Sequence, residues 1–170
     1  KSCFDLEKVV QETVHSLVLL AKGKNISIVF KNNSTPVIVV GDVEKLRLAI
    51  ENLISNAIKY TDGRGKVEVS VRKKNGFVIF NSKDNGVGIP EEQQSQVFNK
   101  FFRSDNAVKY QTEGTGLGLY IAKNIIEQSG GKIWFRSREG VGSIFSFSLP
   151  LCSPARAKHL MAKTAGVRKT

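Results

Sequence analysis

Two asparagines, Asn52 and Asn56, stand four residues apart in "ENLISNAIKYT" (51–61), with Lys59 three residues further on. Helical spacing puts all three on one face. Asparagine is a poor helix former, so two in the middle of an apolar helix suggest a polar duty. Amide oxygens are suitable ligands for Mg²⁺, which takes oxygen donors and keeps several waters. Downstream, "DNGVGIP" (84–90) sets Asp84 before Gly86 and Gly88. Glycine lets a backbone approach a ligand closely, and the carboxylate is an acceptor that would select an exocyclic amine such as that of adenine. "GTGLGL" (114–119) runs straight into a predicted helix, whose first N–H groups form a phosphate cradle. Taken singly, the asparagines read as bridging residues and the first glycine run as a turn. Together they converge on a nucleotide with Mg²⁺.

The elements that must position these groups follow from periodicity. Residues 5–22 carry Leu6, Val9, Val10, Val14, Leu17, Val18 and Ala21 at helical spacing, with Asp5 as N-cap and Gly23 as stop. Residues 26–30 and 36–40 read as short strands around a polar turn. Residues 43–60 form a second amphipathic helix capped by Asp42. "KVEVSVR" (66–72) alternates and pairs with "FVIFN" (77–81) through "KKNG". A short helix is expected near 91–96 and a longer one over 117–129. "KIWFRS" (132–137) and "SIFSFSL" (143–149) close as a hairpin. Residues 103–113 read as a polar, shapeless stretch, the one long flexible segment. These elements predict an α/β two-layer sandwich: a mixed, mainly antiparallel sheet with about three helices on one face. A Rossmann fold would alternate strand and helix, and this chain does not.

Composition narrows the field. Of 170 residues, 26 are Lys or Arg and 15 are Asp or Glu, for a net charge of +11. Five of those charges fall in the last twenty residues, which contain no acid, so residues 151–170 read as a basic tail behind a domain of residues 1–150. Neither a recognition helix nor an aromatic-basic strand supports nucleic acid as the partner. No apolar run reaches the roughly 20 residues that span a bilayer. Cys3 and Cys152 have no metal spacing, and a lone disulfide between them is open but without support in the sequence; a reduced, intracellular protein is expected, here a cytoplasmic domain, whether or not a parent is anchored in a membrane. The absence of an initiator Met suggests a piece of something longer.

The order "NLISNAIKYT", "DNGVGIP", "FNKFFR", "GTGLGL", with the ending "GVGSIFSFSLP", resembles the N, G1, F and G2 boxes of sensor histidine kinases over residues 4–150. The resemblance implies a Bergerat-type ATP-binding fold, shared with gyrase-type ATPases. It implies Asn56 as the Mg²⁺ ligand, Asn52 beside it near the phosphates, Lys59 on the phosphates and Tyr60 in the cleft. Asp84 would accept from the adenine amine, with Gly86, Gly88 and Ile89 forming the adenine wall and Ser143 supporting Asp84. Residues 103–113 would be the ATP lid, based on Phe98, Phe101 and Phe102, with Lys100 and Arg103 toward the phosphates. Gly114, Thr115, Gly116, Leu117, Gly118 and Leu119 would receive the phosphates.

One position sharpens the activity. Gyrase-type ATPases place a glutamate four residues before the Mg²⁺ asparagine as the base for water; here that position is Asn52, and an amide cannot deprotonate water. Glu51 is turned about 100° away around the helix. The implied reaction is therefore transfer of the γ-phosphoryl of ATP to a histidine on a separate dimerisation domain upstream, with ADP released and a response regulator next in the pathway. The parent would be a homodimer and the isolated domain monomeric. His15, in "HSLVLLAK", lacks the acidic residue and proline that follow an acceptor histidine in this family, and His159 lies in the tail. An anti-sigma-type serine kinase and a non-catalytic ATP-binding module of the same fold are the alternatives.

Overall fold

The computed structural model describes residues 1–32, 35–153 and 155. Of the basic tail, residues 154 and 156–170, His159 among them, lie outside the described residues.

The chain runs β1 (Ser2–Asp5), α1 (Leu6–Gly23), β2 (Ser27–Lys31), β3 (Ile38–Gly41), α2 (Val43–Lys59), β4 (Lys66–Lys74) and β5 (Phe77–Asp84). A 3₁₀ turn (Glu91–Gln96) follows, then α3 (Asp105–Tyr110), α4 (Gly118–Gln128), β6 (Lys132–Arg138) and β7 (Gly142–Pro150). Five strands form one sheet in the order β2-β4-β5-β7-β6, in which only the β2–β4 pair is parallel. The last strand in sequence is therefore not at the edge: β7 lies between β5 and β6.

Alternation decides which face the helices cover. Val67, Val69 and Val71 of β4, Val78 and Phe80 of β5, and Phe145, Phe147 and Leu149 of β7 are buried, while Arg72, Lys83 and Arg136 between them are exposed. The buried row meets the apolar stripes of α1 and α2, centred on Val10, Leu17, Ile50 and Ile54, and of α4 at Ala122 and Ile126, in a single core. Phe80 and Phe147 stack there, centroids 4.7 Å apart. Burying each such side chain contributes about 1.5–3 kcal/mol. Both predicted caps form: Asp5 Oδ1 accepts from Glu7 N at 3.1 Å and Asp42 Oδ1 from Lys45 N at 3.2 Å.

Three expectations are corrected. Residues 27–31 and 38–41 are strands but do not pair with each other. β2 adds parallel to β4, whereas β3 pairs antiparallel with β1, a strand the sequence reading missed because four residues before a helix carry little periodicity. Residues 103–113 are not shapeless, since they contain α3. Phe101 does not pack: its side chain is 72% exposed, while Phe98 and Phe102 lean on the core.

Among the described residues no helix is long and apolar enough to cross a membrane. His15 sits on the exposed side of α1.

Candidate nucleotide site

The cleft opens between the polar side of α2, the loop after β5, the α3 segment and the start of α4. It spans about 1060 Å³ of space, much of it the open mouth. Because Leu46, Ile50, Leu53 and Ile54 commit one side of α2 to the core, Asn52, Asn56 and Lys59 turn to the cleft and line it. Neither asparagine amide has a hydrogen-bond partner among the described residues, leaving their oxygens available to a ligand. Glu51 is exposed and does not line the cleft, whereas Asn52 does. Tyr60, at the C-cap of α2, contributes to the wall.

Asp84 closes the inner end. It is 8% exposed, and Oδ1 accepts from Gly86 N at 2.9 Å and Ser143 N at 3.2 Å. Oδ2 has no partner among the described residues. Burial pushes the carboxyl up to about 6, and the two backbone donors hold it back only in part. Ser143 thus supports Asp84 as expected, but through its backbone. Its hydroxyl lies 2.8 Å from that of Ser137, which in turn accepts from Ile89 N at 2.9 Å. Ser137 is a tie between the adenine-side loop and the sheet that no motif flagged.

The glycines of "DNGVGIP" owe their identity to protein backbone as much as to ligand. A Cβ on Gly86 would stand 2.1 Å from Tyr60 O; one on Gly88, whose φ is +65°, would stand 2.0 Å from Arg138 O. Val87 N donates to Tyr60 O at 3.0 Å, pinning the loop to the end of α2. Gly88 and Ile89 line the cleft, whereas Gly86 lies behind it.

At the other end α4 begins without a side-chain cap, so its first N–H groups face the cleft unpaired by any cap residue. Gly114, Thr115, Gly116, Gly118 and Leu119 line it, and Leu117 does not. A Cβ on Gly118 would come within 2.9 Å of Asn52 Oδ1, so this glycine lets the amide reach the helix start.

The α3 segment lies over the mouth. Asn106 donates to Gly88 O at 2.6 Å and Tyr110 to Thr61 O at 3.0 Å, while Lys24 stands over the Tyr110 ring at 5.2 Å. Arg103 lines the cleft, but its terminal nitrogens are occupied: Nη1 donates to Thr112 O at 2.8 Å and Nη2 to Gln111 O, while Nε is buried without a partner among the described residues. Lys100 lies over the Tyr120 ring at 4.9 Å and does not line the cleft, nor does Phe101. Phe101 acts through its backbone: in a left-handed conformation (φ +63°), its N–H donates to Gly116 O at 3.0 Å and so clasps the two ends of the segment together. Val97, Ser104, Ala107 and Phe145 line the cleft without a sequence signal beyond their apolar or small character.

An amine acceptor, paired amides and an open helix start around one cleft define a nucleotide-binding α/β sandwich. Residues 41–153 match the family described as "Histidine kinase-, DNA gyrase B-, and HSP90-like ATPase", and the chain belongs to it. The sensor-like histidine kinase SenX3 of Mycolicibacterium smegmatis is 39% identical over 146 residues, 86% of this chain and 38% of SenX3. The chain thus spans well under half of that relative's length. The catalytic domain of histidine kinase ThkA superposes with a TM-score of 0.76 at 31% identity, covering 88% of this chain and 94% of that one. ThkA in complex with the response regulator protein TrrA matches with a TM-score of 0.73 at 28% identity, over 89% and 42% of the two chains. Within the family this is the ATP-binding catalytic domain of a histidine kinase.

Proposed function

We propose that residues 1–150 form the unit that transfers the γ-phosphoryl of Mg-ATP to a histidine on a separate dimerisation domain, ADP being the other product. The observation that carries this is the pairing of Asn56 with Asn52 on the cleft side of α2, where a hydrolase would need a carboxylate. Asp84 Oδ2 accepts from the adenine amine. Asn56 holds Mg²⁺ through its amide oxygen, with Asn52 beside it; the oxygen character and vacancy of the two amides fit a hard cation. The ion supplies charge neutralisation on the phosphates. The start of α4 and Lys59 take the remaining phosphate charge. Asn52 cannot activate water, so the phosphoryl group waits for an imidazole brought from outside. His15, the one histidine among the described residues, is exposed on α1 and does not line the cleft.

A response regulator then receives the phosphoryl group, in line with the partner of ThkA. The parent works as a homodimer with this domain on the cytoplasmic side. Asn56→Ala should lower phosphorylation of an acceptor domain supplied in trans by about a hundredfold or more. A wild-type rate from that variant would remove Asn56 from the metal site.

A further inference from the structure

The chain has two cysteines, 149 positions apart, and the fold brings them together. β3 is the reason. On one edge it pairs with β1, placing Cys3 opposite Val40. On the other, Leu151 bridges to Val39, and Cys152 N donates to Ile38 O at 2.8 Å. The strand that begins the fold and the segment that leaves the sheet are thus both held by β3, through Ile38 and Val39. Across them Cys3 Sγ lies 2.9 Å from Cys152 Sγ, about 0.9 Å longer than the ~2.0 Å of a disulfide bond. Cys152 Sγ also lies 3.5 Å from Ser153 O. Both residues are half-buried, so a small oxidant can reach them, and neither lines the nucleotide cleft. No cluster of metal-ligating side chains occurs among the described residues.

We infer that Cys3 and Cys152 are an oxidisable dithiol, a modification site at which a small-molecule disulfide closes an intramolecular bond. The thiolate of one cysteine attacks glutathione disulfide, forming a mixed disulfide and expelling one glutathione thiolate. The second cysteine's thiolate attacks the protein sulfur of that mixed disulfide, forming the Cys3–Cys152 bond and expelling the second glutathione. Two protein thiols are oxidised, one disulfide is reduced to two glutathiones, and the two protons pass to the released thiolates. Closure needs the two sulfurs to approach by the remaining distance of about 0.9 Å. The product is a covalent ring through nearly the whole fold, which prevents β1 from peeling off β3.

The test is a titration of the purified protein with glutathione redox buffers, followed by intact-mass and non-reducing peptide analysis. The expected result is a monomer lighter by two hydrogens, yielding one linked peptide pair containing Cys3 and Cys152, reversed by dithiothreitol. Oxidation should raise Tm by about 5–10 °C. Cys3→Ala and Cys152→Ala should each abolish the shift while leaving ATP binding unchanged. Two stable glutathione adducts without a cross-link, a disulfide-linked dimer, or no reaction at ratios that oxidise ordinary dithiols would each overturn the inference.

Discussion

Two glycine-rich stretches flank the cleft, and they are built on opposite principles. In "DNGVGIP" the space a Cβ would need is filled by main-chain carbonyls, Tyr60 O against Gly86 and Arg138 O against Gly88. Main chain at the end of α2 and at the end of β6 is fixed by its own elements and cannot retreat as a side-chain tip can, so this loop is a rigid floor. In "GTGLGL" the neighbours are different: the Arg103 guanidinium faces Gly114, the Asn52 amide faces Gly118, and only Gly116 abuts backbone, that of Phe101. Side-chain tips can move, and so can the α3 segment they touch. Glycine spacing alone does not separate a floor from a gate; what fills the missing Cβ does.

The largest expected effect breaks this contrast at its two ends. Gly86→Ala forces backbone apart and should cost about 3 kcal/mol or more in stability, with nucleotide binding lost. Gly118→Ala places a methyl group in the first turn of α4 against a side chain. Its stability should stay within about 1 kcal/mol of wild type, since alanine favours a helix, while phosphoryl transfer falls because Asn52 is displaced. Denaturant melts run beside transfer assays separate the two. Equal stability of the two variants would refute the distinction.

A middle-sized effect concerns the floor's carboxylate. Asp84 titrates near 6 in the fold against 3.8 for an ordinary side chain. A native pKa above the unfolded one means that the fold binds the extra proton. The contribution of Asp84 to stability is therefore greatest below about pH 4, falls between about pH 4 and 6, and stays level above. The loss is up to about 3 kcal/mol. Asp84→Asn keeps an oxygen for Gly86 N and Ser143 N without a buried charge. It should be more stable than wild type at pH 8 and no more stable at pH 4, while binding ATP less tightly. Thermal melts across this range check the crossover.

The smallest effect sharpens the gate. Residues 105–110 are held from outside by a few hydrogen bonds, among them those of Asp105 with Gln93, Asn106 with Gly88 and Tyr110 with Thr61, and by the Lys24 contact, each worth about 1 kcal/mol. Tyr110→Phe should speed amide exchange across 105–111 severalfold and move Tm by less than about 3 °C. A non-hydrolysable ATP analogue should slow that exchange in both proteins. Exchange that ignores both the mutation and the nucleotide would end the gating role.

How much of this was legible in advance depends on where each element finds its partners. The β4–β5 and β6–β7 hairpins, and the caps at Asp5 and Asp42, rest on neighbours in sequence and could be read directly. The motifs led to the cleft because the same helix that buries Leu53 and Ile54 must turn Asn52 and Asn56 the other way. β2 and β3 were paired wrongly because their partners, β4 and β1, are distant or lack a pattern. α3 was missed because six residues cannot sustain a helix alone; Gln93, Val87 and Thr61 hold it from outside. Arg103 could be placed at the cleft but not aimed, since its carbonyl partners exist only once the segment has folded back.

The position of β7 inside the sheet sets a timetable for synthesis. When β5 emerges from the ribosome, its outer edge is eight residues long and runs from Phe77 to Asp84 with no neighbour. β6 emerges next and has nothing to pair with, because its only partner strand is still to come. At ordinary translation rates that interval lasts on the order of several seconds. An unpaired edge rich in Val78, Ile79 and Phe80 is then open to other nascent chains. Neither edge is covered until β7 is made, since β7 is the strand that pairs with both β5 and β6.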